Sequence, residues 1–329
     1  MPKPLLEFND KGIYCPPADV YIDPWRPVKK AIITHGHADH SKYGHQHYIT
    51  QRDNVPIVKH RLGKVNISGL DYNRSFRVNN VKFSLHPAGH VIGSSQIRVE
   101  HKGEVWVVTG DYKTEDDGVC KAFESVKCHS FITECTFGLP VFKWQPQDEV
   151  FRDINNWWQE NQEERMTSVI LAYSLGKAQR ILKYLDTKIG KIYTHSAIEN
   201  MTEVLRTYND FPPTHRITRH TTKAELKGNV VLAPPSAQGS PWIRKIVPYV
   251  TSSASGWMST RGARRRRAID KGFVISDHAD WDGLLSAIKD TGCEKVICTH
   301  GYTDVFAKYL KTIGYDARTE QTQYEEEED

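Results

Sequence analysis

The sequence predicts an α/β protein of about two domains, and three features carry that prediction. The 329 residues are about twice the roughly 150 that one domain takes, and 39% of them are hydrophobic, enough for two cores. Up to about residue 135, short β-branched and aromatic runs follow one another with turn residues between them. Beyond that point strand-like and helix-like segments alternate, as parallel strands joined by crossover helices do.

In the first region ADVYIDP, KKAIITH, VKFSLHPAG, SQIRVEHKGEVWVVTGDY and SFITECTFG read as strands, because their residues suit a pleated, half-buried surface. Residues 147–162, QDEVFRDINNWWQENQ, space their apolar side chains as an amphipathic helix does. SVILAYS at 168–174 reads as a buried strand, and LGKAQRILKYLD at 175–186 as the helix that follows it. VVLAPP and FVISDHAD are further strand candidates. DWDGLLSAIKDTG has an Asp to cap its start and a Gly to end it, so it reads as a helix, and KVICTHG as the final strand.

No run approaches the ~20 apolar residues of a membrane span, and MPKPLLEFND is too short in apolar residues for a signal peptide. The expectation is a cytoplasmic protein with no membrane contact. The six cysteines (Cys15, Cys120, Cys128, Cys135, Cys293 and Cys298) form no CxxC pair and read as reduced packing residues. The net charge is +4, but residues 1–324 carry +9 once the acidic EEEED at 325–329 is set aside. A basic body points to a polyanionic partner.

The stretch AIITHGHADHSKYG, 31–44, crowds His35, His37, Asp39 and His40 behind an apolar run. On an extended segment His35 and His37 lie on one side, because strand side chains alternate, so the pair can hold one cation. Asp39 and His40 follow as the chain turns and point elsewhere, which suits a second cation. HPAGH adds His90, TGD adds Asp111 at a strand end, and CTHG adds His300. With His35, His37 and His90 on one ion, Asp39, His40 and His300 on the other, and Asp111 bridging, each ion keeps room for a shared hydroxide. All seven fall at predicted strand ends, where loops gather on one rim. Mixed His and Asp ligands suit zinc and manganese alike.

HxHxDH followed by PAGH and TGD resembles the metallo-β-lactamase fold, whose members are four-layer αβ/βα sandwiches with a metal site at one edge; the match runs from Asp23 to Asp111. The chain then continues as β-CASP nucleases do. FITECTFG resembles their motif A, with Glu134; SDHAD resembles motif B, with His278; THG resembles motif C, with His300. AYSLGKAQRIL resembles the strand and helix that open the β-CASP insertion. The resemblance implies a catalytic domain from residues 1–140 and 271–329 and an inserted α/β domain over 141–270.

YCPPADVYIDPW, FITECTFGLP, APPSAQGSPW, ASGWMSTRGARRRR and SDHADW are most similar to the bacterial DNA ligase-associated DNA exonucleases. SGW at 255–257 is similar to a segment of Artemis-like DNA nucleases, whereas His300 of motif C is typical of RNA-processing relatives such as ribonuclease J and the polyadenylation-factor nuclease. The implied activity is hydrolysis of DNA from an end, 5′ to 3′, with two divalent ions and in repair beside a ligase and a helicase. The alternative is RNA processing.

The chemistry follows from the residues as well. A hydroxide held between two cations has a lowered pKa, and the cations neutralise charge as attack builds up at phosphorus. The leaving sugar oxygen needs a proton, which the resemblance assigns to His278, kept cationic by Glu134. Asp23 resembles the family's aspartate that orients the ligand loop without touching metal. In RGARRRR, residues 261–267, Arg261, Arg264, Arg265 and Arg266 can pair with phosphates or form a solvated surface. Ser174, Lys177 and Ser240 of SAQGS stand where strand-to-helix openings present hydroxyls and amides to phosphates. Trp257 reads as a base-stacking or core residue, and a cleft between the domains is expected to admit a single strand.

Overall fold

The strands of the computed structural model, which describes residues 4–260, 262 and 269–324, fall into three sheets. Two compact units hold them: one built from the chain up to Lys143 and from His278 onward, the other from Trp144–Asp277.

The first unit opens with β1 (Glu7–Asn9), β2 (Gly12–Cys15), β3 (Val20–Ile22), β4 (Lys30–Ile32) and β5 (His47–Gln51), then α1 (Val55–Leu62) and β6 (Ile67–Leu70). These strands lie side by side in chain order, antiparallel up to β3 and parallel from β3 to β6. The next strands, β7 (Ser75–Val78), β8 (Val81–Pro87), β9 (Ser95–His101) and β10 (Glu104–Val108), form an antiparallel meander, to which β11 (Ser130–Cys135) adds in parallel.

The second unit alternates helix and strand: α2 (Gln147–Glu163), β12 (Thr167–Leu171), α3 (Lys177–Tyr184), β13 (Ile192–Thr194), α4 (Ser196–Leu205), β14 (Thr214–Arg216), α5 (Lys223–Leu226), β15 (Val230–Ala233), β16 (Tyr249–Ala254) and β17 (Lys271–Phe273). Its sheet has the order β14-β13-β15-β12-β16-β17 and every pairing is parallel. Such a sheet is buried on both faces, which is why VVLA and TSVIL read as continuous apolar or small-residue runs. On α2 the helical spacing buries Val150, Phe151, Ile154, Trp157 and Trp158. Each such side chain is worth roughly 1.5–3 kcal/mol when fully buried.

The first unit resumes with α6 (Trp281–Thr291), β18 (Lys295–Gly301), α7 (Thr303–Thr312) and β19 (Asp316–Thr319). Asp280 caps α6, its carboxylate accepting from Gly283 N–H at 2.9 Å, and Gly292 ends it in the left-handed region. β18 pairs with β11 and β19 with β18, completing a sheet of order β19-β18-β11-β10-β9-β8-β7.

Period-two alternation partitions the core. Along β10, Trp106 and Val108 join one cluster with Ile13, Ile22 and Ile32 of the other sheet, while Val105 and Val107 pack with Leu284 and Ile288 of α6 and Phe306 and Leu310 of α7. Along β11, Ile132 faces the first cluster and Phe131 the second. A further cluster puts Ala31, Ile33 and Tyr48 against Leu62. All six cysteines are free and five are buried. Among the described residues no helix is long and apolar enough to cross a membrane.

Four expectations are corrected. FVISDHAD is not a strand: pairing stops at Phe273, and Ile275 N–H donates to the Phe273 carbonyl, turning the chain out of the sheet. Residues 271–277 belong to the second unit, because β17 is the edge strand of its sheet. KVICTHG is followed by a further strand, β19. The segment carrying His35 and His37 is not extended; after β4 it runs through bends and a turn, closed by Ser41 N–H donating to the His37 carbonyl.

Candidate metal centre

Bends rather than a strand bring the opening histidines together. Ile33 N–H still pairs with the Ile49 carbonyl, and beyond it the chain breaks from the sheet so that His35, Asp39 and His40 turn inward. His37 Nδ1 lies 3.1 Å from His35 Nε2 and 3.0 Å from His90 Nε2. One ring nitrogen carries at most one hydrogen, so it cannot be bonded to both. Around a tetrahedral cation with bonds of about 2.0–2.1 Å, by contrast, ligand nitrogens stand roughly 3.3 Å apart.

Asp23 fixes the tautomers of two of these rings. Its Oδ2 accepts from Thr34 Oγ1 at 2.5 Å and from His40 Nδ1 at 2.8 Å, and Oδ1 accepts from Thr34 N–H at 2.8 Å. Since the Thr34 hydroxyl donates to Asp23, its oxygen accepts from His35 Nδ1 at 3.1 Å. When neutral, both histidines thus carry their proton on Nδ1 and present an Nε2 lone pair to the cavity, as metal-ligating histidines with a carboxylate behind them do.

Asp111 stands where the two sets meet. Its Oδ2 is 3.5 Å from His35 Nε2 and 3.8 Å from His90 Nε2, and its Oδ1 is 3.4 Å from His40 Nε2. His35, His37, His90 and Asp111 form one buried group whose ligand atoms lie within 4.8 Å of one another, and His35, Asp39 and His40 form another. Among the described residues Asp39 Oδ2, His40 Nε2 and both Asp111 oxygens are buried with no hydrogen-bond partner of acceptable geometry. Leaving a buried polar atom unpaired costs about 1–3 kcal/mol, and more when it is charged. A hard or borderline divalent cation satisfies this donor set, so the residues fit such ions.

Two glycines are needed for the approach. Gly89 has φ +74°, and a Cβ there would stand 2.2 Å from the Lys113 carbonyl; Gly110 has φ +57°, and a Cβ would stand 2.5 Å from Thr34 Oγ1. The first lets the chain before His90 pass against Lys113, and the second lets the chain before Asp111 pass against Thr34.

Glu134, in β11, and His278, just before α6, form the third group with Asp111. His278 Nδ1 is 2.9 Å from both Glu134 oxygens, so it carries the proton that the carboxylate accepts. Glu134 also accepts from Tyr112 N–H at 2.9 Å and from the Thr136 hydroxyl. His278 is 1% exposed and its ring centroid is 4.8 Å from that of His90.

His300, in β18, lies outside these three groups. It lines the same small cavity as Asp23, His40, Asp111 and Glu134, and among the described residues its buried Nε2 has no hydrogen-bond partner. In the second unit Ser174 and Trp257 are half-buried, and Ser240 donates its hydroxyl to the Ala237 carbonyl. Lys177 corrects an expectation: it opens α3 but is fully buried, its Nζ 5.0 Å over the Tyr173 ring, and is not at the surface for a phosphate. Arg261, Arg264, Arg265 and Arg266 lie outside the described residues. Thr34, Thr136 and Tyr324, which touch the site residues, were not singled out from the sequence; the two threonines carried a signal in adjoining His35 and Cys135 at strand ends.

Charge balance gives a pH signature. Burial disfavours a charged His40, but Asp111, Asp39 and the bond to Asp23 outweigh it and hold its pKa well above the ordinary histidine value. In the metal-free protein the fold therefore binds that proton more tightly than the unfolded chain does. This stabilisation is complete below the unfolded pKa of about 6.5 and is lost as pH rises through the higher folded value. Calorimetry of chelated protein should show a midpoint that falls over that interval and a flatter profile for His40→Gln. Added divalent ion should reverse the slope, because ligation needs the deprotonated ring. Identical profiles for both proteins would contradict the assignment.

No protein-family model matches the chain. The chain is 29% identical to a probable DNA ligase of Opitutus terrae over 311 residues, 93% of this chain and 30% of that protein. It is 27% identical over 204 residues to an RNase J-like protein of Methanocaldococcus jannaschii, covering 56% of this chain and 46% of the relative. Endoribonuclease ysh-1 of Neurospora crassa is 32% identical over 130 residues, 38% of this chain and 15% of its own length. The chain thus spans less than half of each. These relatives are members of the metallo-β-lactamase/β-CASP superfamily, the class that the mixed α/β fold and the buried histidine–aspartate groups resemble. A crystal structure of a protein of unknown function from Enterococcus faecalis shares the fold, with TM-score 0.61 over 90% of this chain and 80% of the other at 11% identity.

Proposed function

We propose that the protein is a metal-dependent phosphodiesterase acting on nucleic acid, a DNA exonuclease digesting from the 5′ end. One observation carries the reading: the Glu134–His278 pair sits beside Asp111, at the edge of the buried histidine–aspartate groups. Cleaving a phosphodiester needs an acid for the sugar alkoxide as well as an electrophile for the phosphate, and the two stand together here.

In this reading the first unit is the catalytic metallo-β-lactamase domain, a four-layer sandwich supported by the cores on both faces of its sheets, and the second is the β-CASP insertion. His35, His37 and His90 would hold one divalent ion and Asp39, His40 and His300 the other, and Asp111 would serve both. When bound there, zinc or manganese would supply an activated water and charge neutralisation at the phosphate. Asp23 and Thr34 keep two ligand rings in place; Glu134 stabilises the His278 imidazolium, which gives its Nε2 proton to the leaving oxygen and is left as a neutral ring whose Nδ1–H still donates to Glu134. Ser174, Ser240, Trp257 and the arginines at 261 and 264–266 grip the strand. The setting is cytoplasmic DNA repair beside a ligase and a helicase.

DNA is favoured because the relative named a probable DNA ligase aligns with 93% of the chain, whereas the relatives with ribonuclease names align with 56% and 38%. The ribonuclease reading rests on those names and on His300. End-labelled single- and double-stranded DNA and RNA, each with a 5′ phosphate, separate them. The expected result is progressive shortening of DNA from the 5′ end and much slower loss of RNA. Preference for RNA, or efficient cutting of a circular single strand, would overturn the exonuclease assignment.

A further inference from the structure

Beyond β19 the chain does not leave the first unit. Glu320 N–H donates to the Cys298 carbonyl, extending the β19 pairing past Thr319, and four residues later Tyr324 reaches the cavity. Its ring stacks on His40, with centroids 4.2 Å apart and planes at 19°. Its hydroxyl donates to the backbone carbonyl of Asp23 at 3.2 Å, and its edge meets Trp25 at 5.7 Å. His300 lies 6.5 Å away.

We propose that Tyr324 is a positioning residue for His40, a role that rests on the metal-centre reading above. A ligand ring is fixed only when both its rotation and its tilt are fixed. The bond from Nδ1 to Asp23 sets the rotation of His40, and the Tyr324 face sets the tilt. The same phenol holds the Asp23 backbone, so the carboxylate behind the ring is anchored by it too. The Asp23 bond is made at Nδ1 of His40, whereas Asp39 and Asp111 face Nε2 at 3.3 and 3.4 Å. Tyr324 therefore covers one face of the ligand ring from within the cavity that Asp111 and His300 also line. Groups that orient a ligating histidine in this way typically account for ~10–100-fold in metal affinity.

Cobalt(II) titration of the full chain, followed by its visible absorption, tests this. Wild type should bind in two steps, and His40→Ala should lose one of them, which identifies the step that depends on His40. Tyr324→Leu should weaken that step by ~10–100-fold and alter its spectrum, leave the other step unchanged, and regain activity at high metal concentration. Tyr324→Phe keeps the stacked ring and loses the Asp23 bond, so it should weaken the same step by only a few-fold. If the Leu variant melts early in the metal-free state, the Phe variant decides, and an isotherm equal to wild type overturns the proposal. Unchanged steps in both variants overturn it, as does higher activity with unchanged affinity, which would make Tyr324 a cover. A wild type that binds no cobalt overturns the metal centre together with this inference.

Discussion

Replacing His278 by Ala should lower turnover on a nucleic-acid strand by roughly 10²- to 10⁴-fold, the usual worth of a positioned general acid, while metal content and strand binding stay nearly normal. The direction follows from the geometry: Nδ1 is committed to Glu134 at 2.9 Å, so Nε2 is the nitrogen that can transfer a proton, and Asp111 lies within the same group. The defect should depend on the leaving group. A nitrophenyl phosphodiester expels a stabilised anion that needs no proton, so the variant should be far less impaired on it than on DNA. Equal impairment on both substrates would mean that His278 positions phosphate and donates nothing, and loss of an ion would make it a ligand. Glu134→Gln should give a milder form of the same pattern, because the imidazolium loses its anionic partner but keeps its place.

A larger effect is expected at His37. Its Nδ1 is within 3.1 Å of His35 Nε2 and 3.0 Å of His90 Nε2, so His37→Ala removes the member that the other two share. Metal content by elemental analysis should fall from two ions toward one per chain, and hydrolysis should drop below detection, because neither the activated water nor the charge neutralisation survives. The fold should persist: His37 is half-buried on a loop, and the core clusters of the first unit do not include it. Unchanged stoichiometry would remove the opening motif from the metal centre.

What the sequence makes legible is chemistry more than path. His35, His37, Asp39, His40, His90 and Asp111 could be picked out because few structural roles call for so many ligand types at strand ends, and the structure gathers these six in two overlapping groups. The route that gathers them was not legible. An HxH pair suggests an extended segment, yet here bends after Ile33 do the work, set by an Asp23–Thr34–His35 chain that joins residues eleven positions apart.

β19 was missed because Asp316–Thr319 buries only Ala317 and shows no alternation to read. FVISD misled for the opposite reason: Phe273 ends the β17 ladder, and the buried Ile275 lies beyond it, around a turn. Lys177 reads in the sequence as lying at a strand-to-helix opening that presents polar groups to phosphates, and its burial depends on where α3 packs. Tyr324 gave no signal at all, since its contact with Asp23 spans 301 positions and no periodicity leads to it.

Once loaded with metal, the buried histidine–aspartate groups are expected to hydrolyse nucleic acid. Hydrolysis of a 5′-phosphorylated, end-labelled DNA single strand by the same preparation as purified, after chelation, and after return of zinc or manganese tests it most directly. Shortening should disappear on chelation and return with the ion. Strand cleavage that persists in the chelated protein, or its absence from protein shown to hold two ions, would contradict it.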